Sequence, residues 1–138
     1  MGISGYMEKG VHHFPVRVYF SDTDAGGVVY HSRYIDMAEH ARTELLRLTG
    51  EDQMERLLEE RNGFVVQSLN ITYKTPARLD DLLIIKTRIL KKAVFSMVLE
   101  QNVTRNDQLI ASLQVRVGHI ALDGMKPVPI PEIWRTLE

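Results

Sequence analysis

The sequence contains no cysteine, and that absence removes disulfides, thiolate metal sites and cysteine nucleophiles from the available chemistry. It also lacks an excess of either charge. With 17 Lys and Arg against 18 Asp and Glu, the formal net charge is −1, so no global field draws the chain to nucleic acid or to an anionic membrane. No apolar run approaches the roughly 20 residues of a membrane span, and the stretch from Met1 to Phe14 has none long enough for a signal peptide. A cytoplasmic protein is expected from these absences. The Gly-x-Ser-x-Gly elbow, the Gly-Lys-Ser/Thr phosphate loop and the His-Glu-x-x-His zinc motif are all missing, and Ala25-Gly26-Gly27 is not a dinucleotide fingerprint. No cofactor is expected, and no metal, because Asp22, Asp24 and His31 have no completing cluster of ligands.

What the chain does have is the composition of an ordinary globular protein, with 44% hydrophobic and 25% charged residues among 138. One domain over 1–138 follows from that length. Gly2, Gly5 and Gly10 predict a loose arm over 1–14, and Pro127, Pro129 and Pro131 an extended tail over 124–138. Tyr34, Ala38, Ala41, Leu45 and Leu48 recur at spacings of four and three, one face of a helix that runs to about Thr49 and stops at Gly50. A second helix is predicted from Glu51 to Arg61, with Met54, Leu57 and Leu58 inward and Asn62-Gly63 at its end. The period then changes to two. Val65, Leu69, Ile71 and Tyr73 alternate with polar residues, and strands are also predicted at Val16–Phe20, Leu82–Leu90, Val94–Thr104 and Leu109–Leu122. The short links Lys91-Lys92-Ala93 and Arg105-Asn106-Asp107 favour antiparallel pairing. The fold class is α+β, an antiparallel sheet of about five strands with the long helix covering one face.

The densest chemistry lies between the first strand and the long helix, in Asp22-Thr-Asp-Ala-Gly-Gly-Val-Val-Tyr-His31. Two carboxylates, a flexible glycine pair and an imidazole here precede a helix start, where backbone N–H groups lack intrahelical partners. Taken singly, Asp-x-Asp before glycines is an ordinary turn or cap, and a lone histidine is an ordinary surface or core residue. Together they can surround one carbonyl. Asp24, next to the glycines and nearer His31, is the better catalytic acid, able to attack an acyl carbon or to deprotonate water. N–H groups near Tyr30 and His31 would hold an oxyanion, and His31 would polarise the carbonyl or protonate the leaving group. The Asn70-Ile-Thr72 and Asn102-Val-Thr104 sequons fall on predicted strands and read as chance matches.

The run Phe20-Ser-Asp-Thr-Asp-Ala-Gly-Gly-Val-Val-Tyr-His-Ser-Arg-Tyr34, with Glu39-His-Ala-Arg42 and Ile71-Thr-Tyr-Lys-Thr-Pro-Ala-Arg-Leu-Asp-Asp81, resembles hotdog-fold acyl-CoA thioesterases. It is most similar to the YbgC-like branch of the 4-hydroxybenzoyl-CoA thioesterase family, from about Val16 to His119. The resemblance implies a hotdog fold, a sheet wrapped around the long helix, and a homodimer that joins sheets edge to edge with its active sites at the interface. Homotetramers of such dimers are common in the family. It also places the family's catalytic carboxylate on Asp24, the branch histidine on His31 and the oxyanion donor near the His31 backbone N–H. The 4-hydroxybenzoyl enzymes carry Asp-Pro-Ala-Gly and an aromatic residue where Ala25 and His31 stand here, which points to a short- or medium-chain aliphatic acyl-CoA. Acyl carrier protein is an alternative carrier.

A coenzyme A phosphate requires local cations. Lys74, Arg78, Arg88, Lys91 and Lys92 are the candidates for substrate binding, with Gly27 and Tyr30 beside the acyl group. Tyr34 belongs to the helix stripe and is assigned to the core, and Glu39 and Arg42 to a structural ion pair at i, i+3. Two other readings stay open: a hydratase or dehydratase of the same fold acting at the β-carbon of acyl-CoA or an acyl carrier protein, and a non-catalytic CoA-binding or scaffolding module.

Overall fold

The computed structural model describes residues 2–136. In chain order it contains β1 (Tyr6–Glu8), β2 (Val11–Arg17), α1 (Arg33–Leu48), α2 (Gln53–Glu55), β3 (Asn62–Tyr73), β4 (Leu82–Lys92), β5 (Ser96–Arg105), β6 (Gln108–Ala121), β7 (Lys126–Pro127) and α3 (Glu132–Thr136). One antiparallel sheet has the spatial order β1-β2-β4-β5-β6-β3, with β7 added to β6. The α+β reading and the long helix against one sheet face are as expected, and the strand count is higher because both chain ends contribute.

The stretch expected as a loose arm over 1–14 is largely ordered. Its residues form the β1–β2 hairpin, and β2 pairs with β4 from His12↔Thr87 to Arg17↔Leu82. His12 is fully buried there, whereas the neighbouring His13 is half-buried and stacks on the Tyr6 ring. The predicted strand at Val16–Phe20 begins earlier, at Val11, and gives way to a 3-10 turn at Phe20–Asp22.

Helix α1 buries Tyr34, Met37, Ala38, Ala41, Leu45 and Leu46 against the sheet. Its two alanines let it approach a floor made by Leu83, Ile85, Val103, Leu113 and Val115, all below 1% exposed. Each such aliphatic side chain contributes about 1.5–3 kcal/mol on leaving water. Leu48, assigned to the stripe by spacing, is exposed. The helix ends in a Schellman arrangement: the Gly50 N–H donates to Arg47 O at 3.1 Å and the Glu51 N–H to Leu46 O at 3.2 Å, with Gly50 at φ +86°.

The second predicted helix is only partly formed. One short turn, α2, runs into a π-turn at Arg56–Glu60 closed by Arg61 in the left-handed region, and Asn62-Gly63 open β3 instead of ending a helix. Met54 and Leu58 face solvent rather than the core, and Leu57 is itself part-exposed. Strand β3 lies at the sheet edge, bonded on one side only, to β6. A bulge at Gln67 interrupts it, and the absence of a side chain at Gly118 makes room for the Gln67 amide, which a Cβ there would meet at 2.5 Å.

Candidate active site

The segment between β2 and α1 folds back on itself. Thr23 bridges Val29, the Asp24 N–H donates to Val28 O at 3.0 Å, and the Gly27 N–H donates to Asp24 O at 3.0 Å, closing a turn in which Gly27 adopts φ +79°. The turn is braced from behind by the loop after β3: Val28 bridges Arg78 and the Val29 N–H donates to Ala77 O at 2.8 Å. Ala77 is held in turn by its own N–H, which donates to the buried Tyr34 hydroxyl at 3.0 Å. Burial pushes the Tyr34 phenol up, although that hydrogen bond opposes the rise. Tyr34 is core, as the helix stripe implied.

Within this frame the two aspartates separate by role. Asp22 is buried; its Oδ2 accepts from the Tyr19 N–H at 2.9 Å, and its Oδ1 accepts from Arg33 Nη2 at 2.9 Å and Nε at 3.1 Å. Its carboxylate is wholly engaged in pinning the turn to the first residue of α1. Asp24 is exposed, and the only partner of its side chain among the described residues is the Gly26 N–H, 2.8 Å from Oδ1. Its Oδ2 has no hydrogen-bond partner among the described residues.

The amides at the helix start also divide. The Tyr30 N–H donates to Asp22 O at 2.9 Å and so is not available to an oxyanion. Among the described residues the His31 N–H has no acceptor, while the His31 carbonyl accepts from the Tyr73 hydroxyl at 3.0 Å. The expected pair of donors is therefore reduced to the His31 side of that pair. The His31 ring is exposed and lies against Tyr30, with centroids 4.4 Å apart. Asp24 pairs across the hairpin with Val28, whereas His31 lies beyond the Asp22–Tyr30 pair, so no hydrogen bond joins the two side chains. They can address a substrate from different sides, but they are not a dyad.

A shallow cavity of about 210 Å³ opens beside His31, lined also by Tyr34, Tyr73, Lys74 and Pro76. Lys74 and Arg78 are thus at this end of the molecule, and neither forms an ion pair among the described residues. Arg88, Lys91 and Lys92 are on the far half of β4, which starts next to the Val18–Asp81 backbone contact and runs away from it. Arg88 is already paired with Glu100 at 2.7 Å. The chain therefore brings together Asp24, Gly27, Tyr30, His31 and Lys74, and leaves the other three elsewhere.

The sequence reading missed a second, larger cavity of about 280 Å³ between the later part of α1 and the sheet, lined by Arg42, Leu46, Phe64, Met97, Val117 and Trp134 among others. The signal for it was the Ile130–Trp134 spacing in the tail: both residues are buried, so this end of the chain packs as a short helix over the sheet. Glu39 and Arg42 also face this space, but they do not form the expected ion pair. Arg42 Nη1 donates to the buried Gln101 Oε1 at 3.0 Å, and Glu39 Oε1 accepts from Thr43 Oγ1 at 3.1 Å. Burial pulls the Arg42 guanidinium below its usual range, with the Glu39 charge opposing.

Comparison with known proteins agrees with this architecture. The family model described as the thioesterase-like superfamily matches residues 18–135. An acyl-CoA thioesterase YbgC from Haemophilus influenzae is 44% identical over 119 residues, covering 86% of this chain and 88% of that protein. An acyl-CoA thioester hydrolase YbgC from Escherichia coli O6:H1 is 41% identical, covering 91% and 94%. Among solved structures, a probable thioesterase from Bartonella henselae superposes with a TM-score of 0.81 at 36% identity, over 88% of this chain and 99% of that one. A 1,4-dihydroxy-2-naphthoyl-CoA thioesterase from Synechocystis, at 24% identity over 93% and 95% of the two chains, shares the fold with a TM-score of 0.86. With a match that takes in the Asp22–His31 segment, the helix and the whole of the sheet after it, this chain belongs to the thioesterase-like superfamily of hotdog proteins, in its YbgC branch.

Proposed function

We propose that the protein hydrolyses the thioester of a short- or medium-chain aliphatic acyl-CoA, with Asp24 as nucleophile or general base. The observation that carries this reading is the division between the two aspartates: Asp22 is spent on Arg33 and Tyr19, while Asp24 keeps one carboxylate oxygen free beside a helix start whose His31 amide has no acceptor among the described residues. Asp24 takes a proton from water as the water oxygen adds to the thioester carbon, or its own oxygen adds there first. The His31 N–H holds the resulting oxyanion. The C–S bond then breaks, and the leaving thiolate takes its proton from the protonated Asp24 where water added directly, or from His31 where Asp24 itself added; in the second case water then hydrolyses the Asp24–acyl anhydride, releasing the acid and restoring the carboxylate. Lys74 and Arg78 are the nearest unpaired cations for the phosphates of coenzyme A.

The working unit in this proposal is a homodimer built on β3. That strand presents twelve residues, Asn62–Tyr73, with an unbonded outer edge, and exposes Val66 at 51% and Tyr73 at 46%. Such an edge demands cover. Antiparallel pairing of two β3 edges about a two-fold axis near the strand centre sets the Tyr73 end of one copy against the Phe64 end of the other. The shallow cavity at His31 of one protomer then adjoins the larger cavity of its partner.

Thiol release from acyl-CoAs of graded chain length tests the activity, with 4-hydroxybenzoyl-CoA as the aromatic control. The reading fails if folded protein releases no thiol from any of them, or if Asp24→Asn hydrolyses as fast as wild type. Single-turnover reaction in ¹⁸O-water separates the two roles of Asp24. A nucleophile whose anhydride is hydrolysed at the Asp24 carbonyl leaves label in that carboxylate, and one whose anhydride is hydrolysed at the acyl carbonyl is revealed by hydroxylamine trapping of the anhydride; a general base gives neither signal.

A further inference from the structure

The larger cavity is apolar along most of its wall, yet polar atoms without a partner among the described residues lie at its tail end. These are Asn62 Oδ1 and Trp134 Nε1, whose residues line the cavity directly, and His119 Nε2, whose residue does not. His119 stands behind Phe64, whose ring lies 4.8 Å from the imidazole and 6.1 Å from the indole, centroid to centroid. His119 and Trp134 are each 2% exposed. Leaving such groups unmatched is costly, and their concentration at one place points to a ligand group that matches them.

The donor and acceptor pattern specifies that group. Trp134 Nε1–H can only donate and Asn62 Oδ1 can only accept. His119 Nδ1 lies 2.8 Å from Pro129 O, which only accepts, so Nδ1 carries the proton and Nε2 is left as an acceptor. On the cavity wall itself, one donor from Trp134 and one acceptor from Asn62 suit a hydroxyl, which receives one hydrogen bond and gives one. A carboxylate would find one donor and one repelling lone pair, and a bare methyl would satisfy neither.

Volume sets the rest of the ligand. At about 280 Å³ the cavity is nearly twice the ~150 Å³ that accommodates benzene in an engineered apolar site, which makes room for an aliphatic chain of about ten carbons. We infer that the cavity receives the far end of an aliphatic acyl chain that carries a terminal hydroxyl, making ω-hydroxyacyl thioesters of medium length the preferred substrate class. This rests on the thioesterase reading and on the β3-paired dimer. Along β3, Val66 of the larger cavity and Tyr73 of the shallow one are seven steps, roughly 23 Å, apart, whereas in the proposed dimer the partner's His31 end adjoins the cavity mouth.

Two measurements test it. Thiol release from decanoyl-CoA and ω-hydroxydecanoyl-CoA gives a kcat/KM ratio, expected to favour the hydroxylated substrate at least about tenfold in wild type and to fall to one or below in Trp134→Phe, which keeps an aromatic ring but loses the N–H. Trp134 is the single tryptophan of the chain, so its fluorescence reports on the cavity without any turnover. Titration of wild type with ω-hydroxydecanoate should shift the emission at about tenfold lower concentration than titration with decanoate. No wild-type preference, or a preference that survives Trp134→Phe, overturns the inference. Should Trp134→Phe fail to fold, equal titration curves for the two acids overturn it alone. Absence of thiol release from every thioester would instead defeat the hydrolase reading, and the fluorescence titration would still decide what the cavity selects.

Discussion

Replacing each aspartate of the Asp22-Thr-Asp24 pair separates structure from chemistry in one experiment. Asp22→Ala removes a carboxylate that accepts from Arg33 at two nitrogens and from the Tyr19 N–H. A charge-assisted hydrogen bond is worth about 1.5–3 kcal/mol and a lost turn cap about 1 kcal/mol. The Arg33 side chain is 37% exposed against 9% for Asp22, so solvent screening holds the ion pair to the low end of that range. The sum is about 2–3 kcal/mol, and at about 4 °C per kcal/mol for a chain of this size the melting temperature falls by roughly 8–12 °C. Asp24→Asn keeps the side-chain oxygen that accepts from the Gly26 N–H and touches nothing else, so its stability should stay within about 0.5 kcal/mol of wild type. Its activity should drop by at least ~10²-fold. Urea melts and thiol release on the same three samples give both axes. A large stability loss in Asp24→Asn, or an Asp22→Ala variant that melts like wild type yet is inert, would refute the assignment of roles.

Val66→Lys puts a charge on the open β3 edge and, if the proposed dimer is the working unit, should leave a monomer in sedimentation velocity where wild type is a dimer, with activity lost in parallel; an active monomer would contradict the composite site. Gln101 is fully buried, donates to Ala38 O at 2.9 Å and Thr87 Oγ1 at 3.0 Å, and accepts from Arg42. Gln101→Leu should cost about 2–4 kcal/mol in chemical denaturation, because it removes the partner of the buried Ala38 O and Thr87 Oγ1 and of the part-buried Arg42 guanidinium. Burial lowers the affinity of His12 for a proton, outweighing its hydrogen bond to Ser4 O. An unfolded histidine then binds more protons than the folded one, so this contribution is complete above the ordinary value of 6.5 and is lost as pH falls through it toward the lower folded value. His12→Gln should flatten the fall in melting temperature between about pH 7 and pH 5, a range set by the ordinary histidine pKa; an unchanged slope would show that His12 does not titrate differently on folding.

The helix and the inner strands could be read from the sequence because periodicity reports burial directly. Residues of α1 three and four apart, and alternate residues of β6 from Ala111 to Val117, meet one continuous core. Where a segment's surroundings come from elsewhere, the pattern misled. Met54, Leu57 and Leu58 are spaced for a buried helix face, but Met54 and Leu58 face solvent and Leu57, itself part-exposed, only lines the larger cavity. Glycines at 2, 5 and 10 suggested slack. Gly5 and Gly10 instead supply left-handed turns around the β1–β2 hairpin, and β4 holds β2 in register. In the candidate site, the place of Asp24 beside the glycines already favoured it over Asp22, but residue types could not show that Asp22 is engaged by Arg33 or that the Tyr30 amide is taken, since both depend on where Arg33 and the hairpin carbonyls fall. The Glu39–Arg42 spacing suited an ion pair, but Gln101, from a strand 59 residues onward, captured the guanidinium. No local window contains that competition.

The tail deserves a different kind of accounting. Val128 and Ile130 donate their N–H groups to His119 O and Val94 O, and the segment then brings Trp134 to the wall of the larger cavity, far along the chain from the Asp22–His31 segment. On the proposed reading, chemistry and selection then draw on segments that can be exchanged separately. Exchanging the tail after Met125 between homologues would transplant a preference for chain ends while leaving the Asp22–His31 segment untouched, which makes this short terminal stretch the natural place to retune the enzyme.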